Sequence, residues 1–450
     1  MRYIILSLVI TVFMLSLISY AMFVNQKTMY APSIESTKKV LSLGNDEFLI
    51  GGNTKSFTET SDDWMILKTN SNFDVLKSFV ISGAFSDKFV DFDKIESKIV
   101  VIGDTWSFRR ESLDDILVAV LNNELNLEKY YVVSGTRDDK SAKIVKLSRD
   151  LYFLGYTKSA GFGANSVLIY KFDKDFYPES FWVIGSSVDL EPFDLIELAP
   201  KKFLLVSNYQ KIRGNKDCLL AVVNDDFTIS RAFGFGGGFD ENIVDIIKSK
   251  DNFYFIFETR SFKPIEKTNI LISSFNRSNL NHVRSFAFGT LEEEKYLSSY
   301  QVGNNIYIFF STYIDKNPIL AVAILDSNLG LIGTYNINSL LNIDRRVSAF
   351  KMLNDSLWVG DIFNVNTLED VTLFKTNQGI FDYLSKESSK KQNQLENLKV
   401  NKYYLRVARY PNLESYPVEL KSQKIPRENF IITNEINLNY LEIELRESSK

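Results

Sequence analysis

Short apolar runs, each opened by an acidic or amide residue, recur along the chain: Asp63-Trp-Met-Ile-Leu, Asp115-Ile-Leu-Val, Asn165-Ser-Val-Leu-Ile, Asp217-Cys-Leu-Leu, Asn269-Ile-Leu-Ile, Asn317-Pro-Ile-Leu and Asp370-Val-Thr-Leu. Their steps are 52, 50, 52, 52, 48 and 53 residues. Each interval holds four short segments with period-two alternation and β-branched or aromatic bias, most clearly Ala142-Lys-Ile-Val-Lys-Leu, Leu151-Tyr-Phe-Leu-Gly, Val167-Leu-Ile-Tyr-Lys-Phe and Glu179-Ser-Phe-Trp-Val-Ile. Tight polar turns separate them: Lys250-Asp-Asn and Asn354-Asp-Ser after the first segment, Asn70-Ser-Asn and Asp326-Ser-Asn after the third. A strand-built unit of about 50 residues cannot bury both faces of its own sheet, so neighbouring units must supply the missing core. Seven units predict an all-β fold, a seven-bladed β-propeller of four-stranded antiparallel blades.

A second register agrees, running through Gly52, Gly103, Gly155, Ser207, Glu258, Phe310 and Gly360, and glycine recurs near the unit ends at Gly83, Gly135, Gly185, Gly234 and Gly289. The ring is expected over residues 39–385, with its first strand beginning near Lys39, so closure need not borrow a strand. A polar stretch at 386–397 reads as a linker or short solvated helix, and 398–450 as a small C-terminal β appendage. An eighth blade is disfavoured there because Lys421-Ser-Gln-Lys stands where the acidic anchor belongs and the glycine mark is missing.

The run Leu154-Gly-Tyr-Thr-Lys-Ser-Ala-Gly-Phe-Gly-Ala-Asn-Ser-Val-Leu-Ile-Tyr-Lys-Phe-Asp, and more loosely Gly51-Gly-Asn-Thr-Lys-Ser-Phe with Asp63-Trp-Met-Ile-Leu-Lys, resembles the β-propeller repeat of bacterial exported and surface proteins. The likeness spans about residues 40 to 385 and weakens along the chain. It implies shape and location, and no catalytic residue to carry over.

Composition narrows the picture. Hydrophobic residues make up 45% and aromatics 14%, enough to fill such a ring. A net charge of −4 supplies no global field for nucleic acid. After Met1-Arg2, residues 3–24 are uncharged and strongly apolar, long enough to cross a hydrocarbon core. Residues 1–24 therefore read as a signal peptide or membrane anchor, with cleavage after Ala21 or retention both open, and 25–38 as a linker. Either way the body is expected outside the cytoplasm: secreted, periplasmic or membrane-anchored. One cysteine, Cys218, allows no internal disulfide.

Candidate chemistry is sparse. With one histidine, His282, and one cysteine, zinc sites and His-dependent triads lack their parts, so no metal, cofactor or catalytic residue is assigned. His282 reads as a solvated turn residue and Cys218 as a buried inert thiol. Phe233-Gly-Phe-Gly-Gly-Gly-Phe lacks the ending of a phosphate loop and reads as an inter-blade turn, and Asp91-Phe-Asp93 as at most a weak calcium donor. The loop after strand two repeats Thr54-Lys-Ser-Phe, Thr105-Trp-Ser-Phe, Thr157-Lys-Ser-Ala and Thr259-Arg-Ser-Phe. These loops share one face with the inter-blade turns. Lys55, Trp106, Arg109, Arg110, Lys158, Lys211, Arg213, Arg260 and Lys263 are thus the candidate ligand-binding residues, suited to an anionic glycan or acidic protein segment. The opposing reading is that Thr and Ser satisfy turn amides and the cations are merely solvated. The expected function is a non-enzymatic binding or scaffold module for a protein or polysaccharide of the cell envelope. The alternatives are a structural or assembly factor of the envelope and a carboxylate-dependent hydrolase with its site in the central funnel.

Overall fold

The structure, a computed structural model, describes residues 24–30 and 35–389, apart from 56–60, 73, 109–112, 148–149, 211–214, 262–266, 291, 315, 365–367 and 377–378, together with six short strands between 408 and 447. The apolar segment at residues 1–23 lies outside them. Among the described residues no helix is long and apolar enough to cross a membrane.

Seven antiparallel sheets follow one another in chain order. Blade 1 runs Glu35–Gly44, Glu47–Thr54, Asp63–Asn70, Val75–Ser82; blade 2 begins at Asp87–Ile95, blade 3 at Asp139–Leu147, blade 4 at Leu190–Ala199, blade 5 at Glu241–Lys248, blade 6 at Lys295–Val302 and blade 7 at Val347–Asn354. The core lies between blades: Leu49 and Trp64 of blade 1 pack with Phe89 and Val101 of blade 2, and the same pattern recurs around the ring until Phe48, Ile50 and Leu67 meet Leu357, Val359 and Leu373 of blade 7. Every sheet is thereby buried on both faces, and third strands such as Asp115–Asn122 are apolar along nearly their whole length for that reason. The protein is a seven-bladed β-propeller.

Pairing registers sharpen the repeat. Thr54 faces Asp63, Thr105 faces Asp115 and Thr259 faces Asn269, but Thr157 faces Ser166 and Thr312 faces Ile319. The anchor positions in blades 3 and 6 are therefore Ser166 and Ile319, not Asn165 and Asn317, and the irregular steps of the sequence pattern disappear.

Ring closure differs from expectation. Val24–Tyr30 pairs antiparallel with Leu368–Thr376 as the outer strand of blade 7, Val24 facing Thr376 and Met29 facing Val371. Closure does borrow a strand, and within the span expected to be a linker residues 25–30 and 35–38 are strand, since Glu35 already opens blade 1. The borrowed strand joins the first and last parts of the ring by main-chain hydrogen bonds, which a polar sequence such as Val-Asn-Gln-Lys-Thr-Met-Tyr makes as well as an apolar one.

The C-terminal strands do pack on the ring, each on a different blade. Ala408–Arg409 lies on blade 5, Glu414–Pro417 on blade 4, Lys421–Ile425 on blade 3, Ile431–Thr433 on blade 2, Asn439–Glu442 on blade 1 and Arg446–Glu447 on the borrowed strand of blade 7. They form a strap that runs backwards round the rim and pairs edges otherwise left with open N–H and C=O groups. Blade 6 alone stays four-stranded among the described residues. Before the strap, helix α1 (Ile380–Ser389) seats Ile380, Phe381 and Leu384 in the core of blades 6 and 7, with the Phe381 ring 4.8 Å from that of Tyr307. The helix expected near residue 386 thus begins earlier and is amphipathic, with Asp382 favouring its N-terminal turn.

Candidate functional site: the central channel and its rim

The innermost strand of each blade is bulged, at Lys38, Val90, Ala142, Phe193, Val244, Leu297 and Ser348, and those of blades 1, 4 and 7 carry a second bulge nearer their ends. A bulge frees one ladder amide and re-aims the next side chain. Five of the amides beside these bulges are taken by the preceding blade: Asn53 Oδ1 accepts from Phe89 N (2.7 Å), Asp104 Oδ1 from Ser141 N (2.6 Å), Asn208 Oδ1 from Ile243 N (3.0 Å), Glu258 Oε1 from Tyr296 N (2.9 Å) and, across the closure, Asp361 Oδ2 from Thr37 N (2.6 Å).

The position facing the residue just inside these clips forms a ring around the channel. Lys39, Asp91, Lys143, Asp194, Asp245, Ser298 and Lys351 face Gly51, Ile102, Leu154, Val206, Ile256, Phe309 and Val359 in their respective blades. Charges pair between neighbours. Lys39 Nζ lies 2.6 Å from Asp91, Lys143 3.0 Å from Asp194, and Lys248 also reaches Asp194 at 3.3 Å. Asp91 further accepts from Ile144 N at 2.8 Å, which commits it to the scaffold rather than to calcium. Burial pushes the Asp91 carboxyl up, partly offset by Lys39, whereas for Lys143 burial is outweighed by Asp194 and the ammonium is held above its ordinary range. Alternation fails past blade 4: Asp245 accepts from the Tyr296 hydroxyl and from Ser299 Oγ (2.7 Å), blade 6 supplies Ser298 and blade 7 supplies Lys351. At this break the channel opens into a cavity of about 330 Å³, lined among others by Lys38, Lys39, Asp245, Tyr296, Ser298 and Lys351. Inner strands were not singled out in the sequence. The signal was there: a charged residue, replaced by Ser298 in blade 6, inside an apolar strand every 51 to 53 residues.

A second polar ring lies under the loop face. The carboxylate opening the inner strand is cradled by neutral donors in four blades. Asp139 accepts from Gly135 N (2.6 Å), Ser159 Oγ (2.8 Å) and the Thr157 hydroxyl; Asp87 from Gly83 N (2.5 Å) and Ser107 Oγ (3.0 Å). Glu241 accepts from Gly237 N (2.5 Å) and Thr259 Oγ1 (2.7 Å), and Glu294 from Thr290 N (2.8 Å) and Thr312 Oγ1 (3.1 Å). A Cβ on Gly135 would stand 2.2 Å from that of Ser159, so glycine is required for this approach. Burial dominates the titration of this ring, raising Asp87 and Asp139 to about 6 and Glu294 to about 7.

The repeated Thr-x-Ser hydroxyls therefore hold the scaffold, and Gly237 of the glycine run does the same work. Of the predicted face, Lys158 pairs with Asp138 at 2.9 Å and Lys55 lies 3.8 Å from Asp62. Trp106 donates its indole N–H to Asp114 and lies under Lys88, 5.5 Å from its ring, while Lys140 holds the same Asp114 at 2.9 Å. Arg260 is exposed, its amide tied to Asp240 O. Arg109, Arg110, Lys211, Arg213 and Lys263 lie outside the described residues. His282 opens a strand instead of sitting in a turn; its ring is 5.3 Å from those of Phe235 and Phe275, and burial lowers its pKa. Cys218 is buried, which pushes its thiol up. Among the described residues no three His, Cys, Asp or Glu side chains form a metal-binding group.

No family model matches the chain, and neither does any curated protein. Among solved structures it is similar to the WD40 domain of SCAP from fission yeast, at 9% identity and a TM-score of 0.35, covering 78% of this chain and 98% of that one. The blade count and topology above rest on the chain's own sheet pairing.

Proposed function

We propose that the protein is a non-enzymatic, extracytoplasmic binding module that recognises a protein or glycan of the cell envelope through its loop face and the adjoining channel. The observation that carries this reading is the strap: it occupies the outer edge of six blades, so main-chain pairing is largely spent within the chain and recognition falls to side chains on the face and in the channel. The apolar segment at residues 3–24 supports placement outside the cytoplasm or at a membrane surface. A tail bound to its own ring argues against the C-terminal region as the docking element of an assembly factor.

The test uses the full chain as bait on envelope extracts and on a glycan array. A partner lost when Lys55, Lys158 and Arg260 are all changed to Glu supports the reading. Absence of any specific partner on both, or a fusion reporter that stays in the cytoplasm, overturns it.

A further inference from the structure

We propose that the cavity between blades 5, 6, 7 and 1 is a binding site for one small oxyanion-bearing ligand, a carboxylate or a phosphate, received by Lys351 and Lys38 with Ser298 as a hydroxyl donor. The inference deepens the binding-module reading and rests on it only for its biological use.

Four observations converge on the cavity. The charges at the break in the ring do not cancel: three lysines line the cavity against one carboxylate, Asp245. That carboxylate is already satisfied by the hydroxyls of Tyr296 and Ser299, so a cationic ligand would have to displace both. Lys39 is engaged by Asp91 at 2.6 Å, which leaves Lys351 and Lys38 as cations with no hydrogen-bond or ion-pair partner among the described residues. Ser298 Oγ, in a residue only 6% exposed, lies beside the Tyr300 hydroxyl but makes no bond of proper geometry, although buried polar groups are rarely left so.

The surroundings of Lys351 are mixed. Asp245 and Asp361 attract its charge, Lys38 and Lys39 repel it, and Asp361 accepts from the amide of Thr37. Burial lowers the Lys351 pKa, so its charge is incompletely compensated by its neighbours, and an incoming oxyanion restores what desolvation removed. A volume of about 330 Å³ admits a single sugar acid or a small phosphate and excludes a folded segment.

The experiment is a calorimetric titration of the full chain with inorganic phosphate, with glucuronate and with glucose as neutral control. Saturable one-to-one binding of phosphate or glucuronate, and not of glucose, is expected, and the tighter of the two identifies the ligand chemistry. Lys351→Met should weaken it at least tenfold and Ser298→Ala severalfold, with Lys158→Met on the loop face unchanged. Should Lys351→Met fold poorly, Ser298→Asp, which keeps the lysine and sets a carboxylate beside it, should abolish binding equally. No saturable binding by either anion, or undiminished binding by Lys351→Met, overturns the site. These titrations involve no macromolecule, so their failure leaves loop-face capture standing, and failure of capture leaves the titrations standing.

Discussion

Two polar rings of the same period run through this propeller, and they solve the burial of charge differently. Under the loop face, Asp87, Asp139, Glu241 and Glu294 are each held by backbone N–H groups and hydroxyls, neutral donors supplied by the adjacent turns. In the channel, Lys39 with Asp91 and Lys143 with Asp194 are held by opposite charges from the next blade. The first solution needs only the turns that flank each inner strand. The second depends on what the neighbour offers, so a single serine in blade 6 leaves a cation over. Repetition builds the scaffold in the first ring and, where it lapses, specificity in the second.

The comparison breaks most sharply at Asp139. Asp139→Ala strands three donors in a buried turn and should cost about 3 kcal/mol in urea unfolding; a loss near zero would mean that water replaces the carboxylate and the two rings do not differ. In the channel, Asp194→Asn leaves Lys143 and Lys248 without their counter-charge, and since both lysines reach solvent the loss should be smaller, about 1 to 2 kcal/mol by the same measurement.

Titration sharpens the contrast further. Burial raises Asp104 to about 7, and Asp87 and Asp139 to about 6, above their ordinary 3.8. The folded state therefore holds these protons more tightly than the unfolded chain. Their contribution is full below about pH 4 and is lost as pH rises through 6 to 7. Melting temperature should fall across that window. Asp104→Asn, which keeps the acceptor for Ser141 N just as Asn53 and Asn208 serve Phe89 and Ile243, should flatten the fall; an unchanged slope would remove Asp104 as a source. The smallest effect is expected at Lys158, whose exposed pair with Asp138 should be worth under about 0.5 kcal/mol on Lys158→Ala.

The architecture was readable because strand alternation and turn residues are local signals, repeated seven times. The Thr-x-Ser boxes are readable as a motif, but no local signal marks their partner: Thr157 meets Asp139 and Thr259 meets Glu241, each 18 residues upstream. The channel ring is hidden in the sequence because Lys39 or Asp194 looks like any polar residue of an alternating strand, and only the register shows that it recurs at one height. Val24–Tyr30 was illegible for another reason. Its polar composition carries no strand signal of its own, and its partner, Leu368–Thr376, lies at the far end of the ring.

That closing strand also sets a clock. Its hydrogen-bond partner is synthesised only after six blades have been made, so until then Val24–Tyr30 waits as an unpaired edge. Pairing across such a sequence separation is slow, and a waiting edge invites capture by other chains. The strap adds to the delay, since Arg446–Glu447 seats on the other edge of Val24–Tyr30. An edge laid down early is thus covered on both sides by strands made much later.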